Sequence, residues 1–71
     1  QPMHLDNRWT LVFNGEIYNF RELREPYAGR GEVFQTTSDT EVVLRLLARE
    51  GVAALERLRG MFALALWDGR E

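Results

Sequence analysis

Residues 61–68, "MFALALWD", are apolar at every position but the last. An extended segment sends alternate side chains to opposite faces. Met61, Ala63, Ala65 and Trp67 therefore point one way, and Phe62, Leu64 and Leu66 the other. Met and aromatic stripes of this kind are core material, and a strand apolar on both faces requires cover on both. "WTLVF" at 9–13 makes the same demand, with Trp9, Leu11 and Phe13 on one face and Val12 on the other. Only 71 residues are present to meet it, with no Cys and one His. That is at most one small domain, with neither a disulfide staple nor a His-rich metal site. Three two-sided strands and a few short helices cannot cover one another. The expectation is an α+β fold that forms part of a larger layered structure. A first residue of Gln, not Met, fits a piece of a longer chain.

The pattern along the chain predicts strand, helix, strand, helix, helix, strand. Residues 1–8 read as irregular, with a turn at Asp6-Asn7 and a lone exposed His4. The strand at 9–13 runs into Asn14-Gly15, a strong hairpin signal. Asn19, with Glu22 three residues on, can cap a helix. Pro26 should keep that helix short by moving Glu25 away from helical geometry. "EVFQT" at 32–36 reads as a strand. "SDTE" at 38–41 fits a capping box, with Ser38 as cap and Glu41 reaching back. Val42, Val43, Leu46 and Leu47 then form one apolar stripe, and Gly51 ends the helix. A second helix over 52–59 would bury Val52, Leu55 and Leu58. The arginines at 45, 49, 57 and 59 fall largely outside these stripes, as a solvated face with Glu partners would. Asp68-Gly69 signals a turn, and a further strand is expected after it.

The composition removes several chemistries. All nine basic residues are Arg, so there is no Schiff-base lysine, and the net charge is −2. The arginines are interleaved with Glu, which argues against nucleic-acid binding. No apolar run reaches transmembrane length and no signal-peptide pattern is present, so a cytoplasmic location is expected. The polar candidates are Asn14, Gly15, Glu16, Asn19 and Asp39. Asn14 offers a side-chain N–H, and Gly15 a backbone N–H that a substrate can approach. Each such oxyanion donor is typically worth about 10²–10³ in rate. Glu16 and Asp39 could bind an ammonium or amide. On pattern alone a hairpin turn at Asn14-Gly15 and helix capping at Asp39 are the stronger account of the same residues.

Longer motifs separate these readings. "FNGEIYNFRELR" at 13–24, "TTSDTEVVLRLLAREG" at 36–51 and "LERLRGMFALALWDGRE" at 55–71 occur in this order and spacing. Together they resemble the glutaminase domain of class II glutamine amidotransferases, in the glutamine-hydrolysing asparagine synthetase branch. "QPM" at 1–3 is similar to the family's approach to this region. Other branches usually carry His before the Asn-Gly pair, where this chain has Phe13. The resemblance covers essentially the whole chain.

It implies the N-terminal-nucleophile hydrolase fold, an αββα sandwich, of which residues 1–71 would be a partial, middle portion. It implies a parent enzyme that hydrolyses glutamine to glutamate and ammonia. A synthetase domain would then use the ammonia, with ATP and Mg, to amidate aspartate. By the same resemblance Asn14 and Gly15 form the oxyanion hole, Glu16 contacts the bound glutamine, and Asp39 binds its α-amino group. Asn19 is expected to be a helix cap. The family's nucleophile is an N-terminal Cys, which this sequence lacks, so the chain alone is expected to be inactive and to need no cofactor. The expected partners are glutamine, the parent's synthetase domain and a second copy of the chain, since sheet edges and apolar faces would be left open. The alternative is a stand-alone, non-catalytic module that binds glutamine or a protein partner.

Overall fold

The computed structural model describes residues 2–69. Three antiparallel strands form one sheet in the order β1-β2-β3: β1 is Met3–Leu5, β2 Trp9–Ile17 and β3 Gly60–Asp68. Two helices, α1 (Phe20–Gly29) and α2 (Asp39–Glu50), connect β2 to β3 together with a 3-10 turn at Gly51–Arg57. α2 is central and touches α1, the 3-10 turn, β1 and β2.

The short β1 was not expected. It exists because the turn at Asp6-Asn7 closes a true hairpin: both residues have positive φ, 58° and 53°, and the three residues Asp6, Asn7 and Arg8 link the paired Leu5 and Trp9. Arg8 N–H donates to Leu5 C=O at 3.1 Å. The hairpin therefore sits seven residues before Asn14-Gly15, which lie inside β2 instead of at a bend. His4 belongs to β1, and its ring nitrogen Nδ1 lies 3.0 Å from Thr10 Oγ1.

β2 pairs with β3 along its full length, from Trp9 opposite Asp68 to Ile17 opposite Gly60. The alternation separates two faces. Leu5, Leu11 and Ile17 are buried on the inner face, and Phe13, Phe62, Leu64 and Leu66 pack against the same core. The helices supply Leu23, Tyr27, Val42, Val43, Leu46 and Leu47, with Ala54 and Leu58 beyond them. Burial of each Leu or Val of this kind contributes about 1.5–3 kcal/mol. The outer face of the sheet carries Val12, Met61 and Trp67, which are 39%, 74% and 56% exposed. Among the described residues nothing covers them, so the two-sided strands expected from sequence are covered on one side here. The strand expected after Gly69 lies outside the described residues.

Four further expectations are corrected. Helix α1 is not cut short: it continues through Pro26 to Gly29. Pro26 cannot donate to the carbonyl one turn back, but it lies on the exposed face, where water can serve that carbonyl, while Leu23 and Tyr27 bury one turn apart on the opposite face. Residues 32–36 form no strand, because the N–H groups of Gln35 and Thr36 donate to the Glu41 carboxylate instead of to a neighbouring strand. The segment after Gly51 is a 3-10 turn that buries Ala54 and leaves Val52 78% and Leu55 38% exposed; Leu58 is buried as expected. Arg45 is not on a solvated face. It is 8% exposed, between Glu41 and Glu32.

The cap and stop of α2 follow the sequence. Ser38 Oγ accepts from Glu41 N–H at 3.4 Å, and Gly51 closes the helix at φ 78°. The reciprocal half of the capping box is missing, since Glu41 turns toward Gln35, Thr36 and Arg45.

Candidate functional site

The sequence candidates collect at the C-terminal end of β2. Asn14 is opposite Ala63 and Glu16 opposite Met61, so both side chains lie on the open outer face and both residues are exposed. Gly15 lies between them with φ 136° and faces Phe62. A Cβ at Gly15 would overlap the carbonyl oxygen of Met61 and lie 2.6 Å from Phe62 Cα. Glycine is thus required for β3 to approach β2 at this point. The Phe62 ring stacks with Phe13 at a centroid distance of 6.2 Å and fills the space that the missing side chain leaves.

Asp39 is the first residue of α2 and is partly buried. Its Oδ2 accepts from the N–H of Ile17 at 3.0 Å. This bond joins two motifs far apart in the chain and sets the start of α2 against the end of the strand that carries Asn14, Gly15 and Glu16. One carboxylate oxygen is used by the strand. The other has no partner among the described hydrogen bonds, so it can accept from an added ammonium group.

The same corner is held by Asn19, which occupies the cap position of α1 but makes no side-chain cap bond. Its Nδ2 donates to Arg57 C=O at 2.9 Å, and its Oδ1 accepts from Arg59 N–H at 3.0 Å. Tyr18 N–H also donates to Arg59 C=O, at 2.6 Å. These bonds fix the residues just before β3 against those just after β2, and so fix the register beside Gly15. Sequence reasoning assigned Asn19 to capping, and no sequence signal marks its two long-range bonds.

Glu41 was read only as part of a capping box. It is 4% exposed. Its carboxylate accepts from Gln35 N–H (2.9 Å), Thr36 N–H (2.7 Å), Thr36 O–H (2.8 Å) and Arg45 Nε (2.7 Å). Burial raises its pKa; the Gln35, Arg45 and Thr36 donors outweigh this and leave it below the ordinary value. Arg45 continues to Glu32 at 2.5 Å, and Glu32 to Arg49 at 3.0 Å. The network orders the loop that leads into Ser38 and Asp39.

The description "Glutamine amidotransferase domain" belongs to the family model that matches residues 1–71. "Asparagine synthetase [glutamine-hydrolyzing] 1" of Bacillus subtilis is 45% identical over 69 residues, which is 96% of this chain and 11% of that protein. "Glutamine--fructose-6-phosphate aminotransferase [isomerizing]" of Bradyrhizobium diazoefficiens is 51% identical, over 86% of this chain and 12% of its own length. A solved structure of the glutamine phosphoribosylpyrophosphate amidotransferase from B. subtilis, complexed with ADP and GMP, superposes with a TM-score of 0.79 at 30% identity. It covers 97% of this chain and 18% of that one. The α+β arrangement is thus that of the N-terminal-nucleophile hydrolase fold expected from sequence. The chain spans about a tenth of the length of the curated relatives it matches.

Proposed function

This chain belongs to the glutamine amidotransferase domain family, and from that premise we propose that it is the middle portion of a glutaminase domain in an asparagine synthetase-type enzyme. Asn14 and Gly15 supply the oxyanion donors, Glu16 contacts the bound glutamine, and Asp39 receives the α-ammonium. The observation that carries this reading is the Ile17–Asp39 bond, which brings both motifs to one strand end and leaves one carboxylate oxygen for an ammonium. A carboxylate facing an ammonium is a strong, charge-assisted pairing. The parent's reaction is glutamine hydrolysis, with ammonia passed to a synthetase domain that uses ATP and Mg to amidate aspartate. The ATP-dependent amidation is assigned to no residue of this chain. With no Cys in the sequence, the chain by itself lacks the family's nucleophile and releases no ammonia. Matches over 96–100% of the chain to glutamine-hydrolysing synthetases favour this reading over a free-standing binding module. Among the described residues no helix is long and apolar enough to cross a membrane, which is compatible with a cytoplasmic enzyme.

Calorimetry tests the site. Glutamine binds weakly to the chain, and Asp39→Asn reduces its affinity by about 10-fold or more, the scale of one lost charge-assisted bond of about 1.5–3 kcal/mol. Equal heats for the two proteins would remove Asp39 from the site.

The open outer face also supports self-association. Val12, Met61 and Trp67 expose apolar area on one side of the sheet, and apolar patches of this kind mark interaction surfaces. Sedimentation is expected to show a concentration-dependent dimer that Trp67→Arg dissociates. A monomer at all concentrations would contradict the idea.

A further inference from the structure

Away from Asn14 and Asp39, α1 and the loop before α2 border a cavity of about 320 Å³, lined by Phe20, Arg21, Arg24, Glu25 and Thr37. Two guanidinium groups three residues apart on one helix face border it. Neither is in an ion pair or side-chain hydrogen bond among the described residues, whereas Arg8, Arg45, Arg49 and Arg57 all meet carboxylates. Arg24 is held in place by its ring contact: its guanidinium carbon lies 4.9 Å from the Phe34 centroid. That stacking takes Nε out of water. Among the described residues it is the buried side-chain nitrogen that finds no acceptor. A donor that is desolvated and unmatched is a rare state in a folded protein, because buried polar groups are normally paired.

We infer that this cavity is an oxyanion subsite that takes a carboxylate or a phosphate group of a small molecule. Arg24 and Arg21 bring two guanidinium charges from successive turns of α1 to this cavity, and Thr37 lines it from the loop before α2. Glu25 lies on the same wall and opposes a highly charged ligand. The subsite is independent of Asn14 and Gly15, so its failure would leave the glutamine reading untouched.

The Nε–H resonance of Arg24, followed by ¹⁵N-correlated NMR on the whole chain, reads the site directly. Inorganic phosphate and acetate are added separately, with sodium chloride at matched ionic strength as control. A saturable shift with a dissociation constant of about 1–10 mM is expected from one oxyanion and not from chloride. The stronger of the two names the ligand chemistry. Arg21→Gln, with an unchanged backbone spectrum, should weaken binding by about 5-fold or more. A linear response equal to that of chloride would overturn the subsite, as would full affinity in Arg21→Gln together with no broadening at Thr37.

Discussion

Gly15→Ala costs this chain about 2–6 kcal/mol of folding stability. The substitution places a Cβ against the carbonyl of Met61 and within 2.6 Å of Phe62 Cα, and backbone cannot move aside as a side-chain tip can. It also asks an L-residue to hold φ 136°. Left-handed strain costs about 1–3 kcal/mol, and overpacking a further 1–3 kcal/mol. A domain of this size has about 4–11 kcal/mol in total, so the loss is a large share. Gly29→Ala is the control, since a Cβ there meets nothing within 4 Å. Urea melts should place Gly29→Ala within about 0.5 kcal/mol of the parent sequence and show the Gly15→Ala midpoint lowered by the equivalent of about 2–6 kcal/mol. A Gly15→Ala melt coincident with the control would mean that β3 does not press against β2 at this glycine.

The second large effect concerns Glu41. Glu41→Ala removes the acceptor of four donors and leaves Arg45 with Glu32 alone, at a cost of about 3–5 kcal/mol, the usual penalty for breaking a buried pair. The loss comes from the unmatched groups and not from the pair's own attraction. The double variant Glu41→Leu with Arg45→Met should therefore recover much of the Arg45 share. A double variant no more stable than Glu41→Ala would show that the Gln35 and Thr36 amides, and not Arg45, set the cost. The same carboxylate makes stability depend on pH. Glu41 and Glu32 both have folded pKa values below the ordinary 4.5: burial raises each, and the donors, mainly Gln35, Arg45 and Thr36 for Glu41 and Arg49 and Arg45 for Glu32, outweigh it. Their contribution is complete above the unfolded value and is lost as pH falls through the depressed folded values. Acid titration of the melting temperature should be flat near neutrality and fall in that lower window, less steeply in the Glu41→Ala variant.

Local signals were legible in the sequence, and signals that depend on distant partners were not. The Ser38 cap, the Gly51 stop and the apolar stripe of α2 are set by neighbours within one or two turns, and all three stand in the structure. β2 and β3 were also readable, since their alternation is continuous. Residues 32–36 look like a strand by composition, but a strand needs a partner, and the Glu41 side chain took their amides. Pro26 argues for a helix end by local geometry, yet Leu23 and Tyr27 bury enough surface on the far side to carry α1 past it. At the site, Asn14, Gly15, Glu16 and Asp39 could be named because three long motifs agreed. Nothing in the sequence shows that Asp39 reaches Ile17, or that Asn19 bridges to residues 57 and 59. Both are contacts across the whole fold.

The placement of β2 between its two partners also dictates an order of assembly. The pairing of β1 with β2 closes through the short loop Asp6-Asn7-Arg8, and hairpins of that kind form in about 1–10 μs. β3 reaches β2 only after both helices have been laid down between them, and the closure of so long a loop is the slower event. Asn14 lies beyond the reach of β1 and opposite Ala63, so it and the Phe62 contact at Gly15 both wait for β3, while the Asp39 contact at Ile17 waits for α2. The candidate site is complete only when the last of these steps is, so anything that delays the return of β3 delays the site without touching any residue in it.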